Sequence, residues 1–163
     1  MRTMDCIEET AKGSLMAAIS RDLHPDECRR LIEGGGVGRV GFRGERDVHI
    51  VPVNFAVDGD SIVFRTTPYS ELGGYGPGRP AAFEVDELDA HGRSGWSVVA
   101  KGQLHVVSDP AELAALQLGS DPDSWADGVR RLYMRLTWRE LTGRRLEPTA
   151  PQPEGAATRP DSG

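Results

Sequence analysis

Residues 38–107 read GRVGFRGERDVHIVPVNFAVDGDSIVFRTTPYSELGGYGPGRPAAFEVDELDAHGRSGWSVVAKGQLHVV, and the alternation within them decides the fold. In 48–57, Val51, Val53, Phe55 and Val57 fall on one face, while Asn54 and then Asp58 fall on the other. Successive strand side chains point to opposite faces, so a period of two marks a half-buried strand. Asp58-Gly59 is a two-residue hairpin signal, because these residues accept positive φ. It leads into a second strand at 61–66. Further strands are expected at 38–43, 82–85 and 96–107, the last with Trp96, Val98, Ala100, Leu104 and Val106 on one side.

Working outward, 25–32 reads as a short helix, with proline in its first turn, acidic residues at its start and three glycines to stop it. A second helix is expected at 110–118, capped by Asp109. A last strand at 129–138 puts Leu132, Met134, Leu136 and Trp138 on one face and Arg131, Arg135 and Arg139 on the other. Four glycines and a proline between Leu72 and Gly78 argue against a helix there. The sum is a mainly β chain with minor α: six short antiparallel strands closing, or nearly closing, into a barrel.

The chain has 163 residues, one ordinary domain with tails. Residues 1–22 form an arm, either a frayed helix or a segment reaching over a partner. The barrel domain spans 23–146. Residues 147–163 hold four prolines and no Val, Ile, Leu or Phe, and are expected to be disordered. A net charge of −6 argues against a general nucleic-acid binder, which needs a basic surface to neutralise phosphates. No apolar run approaches the roughly 20 residues of a membrane helix, and no secretory signal is visible. Cys6 and Cys28 are too few for a disulfide framework, which points to a reduced, cytoplasmic protein. The four histidines are too scattered to suggest metal-ligand spacing, and no nucleophile motif or P-loop appears.

Two polar clusters stand where strands end or begin: Arg65-Thr66-Thr67-Pro68-Tyr69-Ser70 and Arg93-Ser94-Gly95-Trp96-Ser97. Arg65 offers a rigid fork of donors suited to a phosphate, and Thr66, Thr67 and Ser70 add hydroxyls within one turn. The plainer alternative is that Arg65 is a solvated strand end and the hydroxyls shape the turn. Trp96 is either a cover for a flat ring or a core aromatic.

The order of these pieces resembles the pyridoxamine 5′-phosphate oxidase-like family, the flavin-binding split barrels, across residues 23–146. The resemblance is carried by Val63-Phe64-Arg65-Thr66 with Ser70, by the FEVD of 83–86 followed by GWSV at 95–98, and by the close at 141–146. It implies an FMN-binding oxidoreductase acting on an unidentified small molecule, as a homodimer with flavin between the subunits. It implies a flavin wall of His49, Val51, Pro52 and Asn54, a phosphate clasp of Arg65, Thr66, Thr67 and Ser70, and ring contacts from Trp96 and Ser97. No catalytic residue is assigned, since His49 has no identifiable partner carboxylate. Glu71 stands where relatives carry a basic residue, and the Gly-rich 73–78 loop follows it. These departures keep two alternatives open: an F420-dependent reductase, and a non-enzymatic split-barrel dimer that has lost or weakened its flavin.

Overall fold

The computed structural model describes residues 18–122 and 129–148. These residues form strands β1 (Ala18–Asp22), β2 (Gly36–Arg43), β3 (Val48–Asp58), β4 (Ser61–Thr66), β5 (Pro80–Asp89), β6 (Ser94–Val106) and β7 (Leu132–Pro148). Three helices accompany them: α1 (Pro25–Ile32), α2 (Glu71–Tyr75) and α3 (Pro110–Gly119). Every strand pairing is antiparallel, in the order β1-β7-β4-β3-β2-β5-β6, and β6 also pairs β7. That last pairing closes β7-β4-β3-β2-β5-β6 into the expected six-stranded split barrel. β1 is a seventh strand added outside the ring.

The added strand corrects both ends of the expected domain. Ala18 pairs Pro148 and Ile19 pairs Glu147, so the sheet takes in part of the arm and the start of the tail. All five β1 residues are exposed, so no apolar alternation advertised the strand. The backbone ladder along β7 holds it instead. The rest of the arm and tail, 1–17 and 149–163, lies outside the described residues.

The interior is filled by the inward faces of the ring. Val40, Phe42, Phe55, Phe64, Phe83, Val98, Leu104, Met134 and Leu136 are buried in one cluster, and Phe55 meets Phe83 edge-on with centroids 4.7 Å apart. α1 adds Cys28 and Ile32 to the same core. The β3–β4 hairpin turns at Gly59-Asp60, one residue later than expected, with Gly59 at φ 57° and Asp58 opposite Ser61. Proline at the start and an Asp109 side chain accepting from the Glu112 amide set the start of α3 as foreseen.

α2 is a second correction, because glycine content argued against it. Ser70 overrides that propensity: its Oγ accepts the Gly73 N–H at 3.0 Å and caps the turn. Gly73 is required there, since a Cβ would lie 2.2 Å from the Thr67 carbonyl oxygen. Leu72 then anchors the short helix in the main core. None of the helices is long and apolar enough to cross a membrane, and no metal-ligating cluster occurs among the described residues.

Candidate functional site

β3 and β4 begin as a hairpin and then part. Their ladder runs from Asp58–Ser61 to Phe55–Phe64 and stops, while β4 continues alongside β7 with Arg65 opposite Tyr133 and Thr66 opposite Leu132. Pro52 has no N–H to offer a neighbour, which suits an edge without a ladder. A cleft of about 60 Å³ opens in the split, between Val51, Pro52, Val53 and Asn54 on one lip and Arg65 and Thr66 on the other. Pro122 and Arg130, from the segments before β7, complete its lining.

Arg65 is the cleft's most constrained charge. Its Nε donates to the Arg130 carbonyl at 3.0 Å, and its guanidinium lies 5.2 Å from the Tyr133 ring centroid. Nη1 faces Asp121 Oδ1 at 3.4 Å, and the side chain keeps 26% exposure. Arg65 is therefore aimed and partly open, with donors to spare. The Tyr133 hydroxyl donates to the same Asp121 oxygen at 2.8 Å. Burial pushes the Tyr133 phenol above its ordinary value, and the bond to Asp121 adds to the rise. It stays a neutral donor at physiological pH.

The hydroxyls next to Arg65 have local partners. Ser70 Oγ donates to the Thr67 carbonyl at 2.8 Å, accepts from Gly73 N–H, and lies 2.9 Å from Thr66 Oγ1. With the Ser70 proton already placed, the Thr66 hydroxyl is the donor between the two. Thr66 is only 4% exposed. In this geometry Thr66, Thr67 and Ser70 build the turn that carries Arg65.

The remaining expected residues lie elsewhere. His49 stacks on Phe42 with centroids 5.4 Å apart, toward the other end of β3. Trp96 and Ser97 stand on β6, which has β7 between it and β4 and both β5 and β2 between it and β3. The Trp96 indole N–H reaches Glu87 at 3.3 Å, and Trp96 and Ser97 border a hollow of about 250 Å³ with Leu88 and Arg144. The structure thus gathers Val51, Pro52, Asn54, Arg65 and Thr66, places Thr67 and Ser70 behind them, and leaves His49, Trp96 and Ser97 outside the cleft. Asp121, Pro122, Arg130 and Tyr133 escaped the sequence reading. No motif marks them, and only the folding of α3 and β7 against β4 brings them to Arg65.

A second feature adjoins the cleft. On the outward face of β3, Val48 is 76% and Ile50 71% exposed, on the same side as Pro52 at the cleft. They border a broad groove of about 740 Å³ with Gly41, Ala82, Lys101 and Arg139.

An antiparallel barrel whose β3–β4 hairpin parts into a cleft, with an arginine at the lip, defines a small split-barrel class. Residues 24–145 match the family described as pyridoxamine 5′-phosphate oxidase, and the chain belongs to that family. An uncharacterized Mycobacterium tuberculosis protein, Rv0080, is 35% identical over 101 residues, 59% of this chain and 66% of that protein. The chain thus spans just under two thirds of that relative. Among solved structures, the FAD binding protein of Mycobacterium smegmatis is 29% identical with a TM-score of 0.64, covering 76% of this chain and 96% of that one. A Corynebacterium glutamicum chain bearing the pyridoxamine 5′-phosphate oxidase name is 26% identical with a TM-score of 0.67, covering 83% and 99%.

Proposed function

We propose that this chain is a cytoplasmic flavin-binding oxidoreductase of the split-barrel type, working as a homodimer on a small organic molecule. The observation that carries the reading is the cleft in the β3–β4 split, which sets the Arg65 guanidinium beside the Val51–Asn54 segment of β3. A cleft of about 60 Å³ suits a phosphate group and not a whole cofactor, since pockets for drug-sized ligands run to roughly 300–1,000 Å³. The protein's own residues therefore fit the phosphate end of a flavin, and the ring must lie across the cleft mouth. Val48 and Ile50 give the reason for a second copy: that face would cover the mouth, and Trp96 and Ser97 of the second copy are the candidates to meet the ring. A bound flavin would supply the electron-accepting chemistry. Arg65 would hold its phosphate, β3 would orient its ring edge, and the covering face would exclude water.

FMN is the cofactor the family resemblance favours, with F420 as the alternative and FAD brought in by the M. smegmatis relative's name. The test is a fluorescence and visible-absorbance titration of the full chain with FMN, FAD and F420, run beside light scattering. Saturable binding by a species of two-chain mass supports the reading. A protein that binds none of the three is the non-enzymatic barrel.

A further inference from the structure

We infer that Asp121 is a charge selector beside the cleft, acting through Arg65, so that the site takes a singly charged phosphoryl group in preference to a doubly charged phosphomonoester. The inference rests on the flavin reading above and deepens it, because FMN ends in a monoester, whereas F420 carries a phosphodiester and FAD a diphosphate with one charge on each phosphoryl group.

The placement of Asp121 is built into the fold from both ends of α3. Val63 on β4 and Tyr133 on β7 point outward, away from the barrel interior, and with Val107 and Leu116 they form a small second core under the helix. At the helix start, Arg135 of β7 bonds Asp58 at 2.7 Å and faces Glu112 at 3.0 Å. At its end, Ser120 caps the last turn, Asp121 faces the Arg65 guanidinium, and Pro122 lines the cleft. Asp121 is held there by the Tyr133 hydroxyl at 2.8 Å. A carboxylate at this point is therefore set by two packed elements and not by a floppy loop.

Arg65 and Arg130 border the cleft as cations, and Asp121 faces Arg65 at 3.4 Å as an anion. Two positive charges less one negative leave one to compensate. A phosphoryl group within a diester, or either one of FAD's diphosphate, carries one negative charge into a cleft sized for a single phosphate; a monoester carries about 1.5 to 2 at pH 7. The extra charge would stand against Asp121 in a partly buried place, where Coulomb energies exceed those in water several-fold. The long Arg65 contact beside the short Tyr133 contact fits this role. Tyr133 keeps the carboxylate in place while the guanidinium retains donors for the ligand. Arg130 is then the second cation of the seat, in place of the basic residue for which Glu71 stands.

The experiment measures dissociation constants of the full chain for FMN, FAD, F420 and phosphate-free riboflavin, in wild type and Asp121→Asn. Asparagine keeps the shape and an acceptor for Tyr133, so the variant removes charge alone. Wild type should bind FAD or F420 roughly tenfold or more tightly than FMN, and Asp121→Asn should tighten FMN by about tenfold and narrow the gap. Tight FMN binding by wild type needs no variant to overturn the selector, so the test keeps its force even if the variant fails to fold. Tight FMN binding by wild type, or an FMN-to-FAD ratio unmoved in a folded Asp121→Asn, overturns the selector and leaves the flavin reading standing. Absence of binding to every flavin overturns both.

Discussion

The barrel has two places where neighbouring strands part, and it treats them differently. Along β7, β6 occupies one edge through most of its length, while β4 serves the other edge only from Thr137 back to Leu132. The gap left beyond β4 is sealed: β1 pairs residues 144–148, and the Leu23 amide donates to the Gly143 carbonyl at 2.9 Å as the chain turns into α1. The split between β3 and β4 is left open, with Pro52 on one lip and Arg65 on the other. A sheet edge without a neighbour presents unpaired donors and acceptors, so a protein must cover it or use it. Here the first gap is covered by the chain itself. The second is the one that the proposed ligand and second copy would use.

The largest expected effect breaks the open gap from outside. Ile50→Glu would put a carboxylate under the proposed cover, and an unpaired charge buried at an interface costs enough to raise the dimer dissociation constant roughly a hundredfold or more. Light scattering at micromolar concentration should drop from the two-chain to the one-chain mass, with flavin binding falling alongside. A variant that keeps the mass of wild type, whatever that mass is, removes this face from the interface.

From inside the same gap, Arg65→Ala should weaken flavin by roughly one to two decades, as a bond to a charged group contributes about 1.5–3 kcal/mol. Arg65→Lys should recover part of that, since lysine keeps the charge without the fork. Fluorescence quenching reads both. Equal affinity in all three proteins would place the phosphate elsewhere.

Tyr133→Phe loosens the lip without touching its charges. Losing the donor to Asp121 should cost about 1 kcal/mol of stability, seen as a lower chemical-denaturation midpoint with an unchanged slope. No loss of stability would mean that Asp121 is held by other contacts.

The smallest effect belongs to the sealed gap. Glu27 on α1 accepts a bidentate contact from Arg21 on β1 at 3.1 and 3.2 Å and a bond from the His24 amide. Arg21 first, and the His24 amide second, lower its carboxyl from the ordinary 4.5 to about 2. A depressed folded-state value contributes stability above about 4.5 and loses it as pH falls toward about 2. Hydrogen exchange should show β1 amides losing protection over that window before those of β3, and Glu27→Gln should show the same loosening at neutral pH. A β1 that opens only with the whole barrel would show that the ladder alone holds it.

How much of this was legible beforehand differs between the two gaps. The period-2 run through Val51, Val53 and Phe55 and the hairpin after it located the β3–β4 pair, and Arg65 stood out as a cation ending an apolar strand. The seal was invisible, because β1 is exposed along its whole length and hydrophobic patterning reports only burial. α2 was misread for a different reason: the helix penalty of its glycines is offset by the Ser70 cap, by burial of Leu72 and by a backbone approach that only glycine permits.

Sequence alone determined the barrel, its ring of strands, the positions of α1 and α3, and the arginine at the lip, because these follow from local alternation, caps and turns. Tertiary structure alone decided which charges surround that arginine. Asp121, Arg130 and Tyr133 lie 56, 65 and 68 residues beyond it in the chain. They meet it because β7 pairs with β4 and α3 packs across both. Pairing across such distances is set by the closure of the whole sheet, which no local pattern encodes.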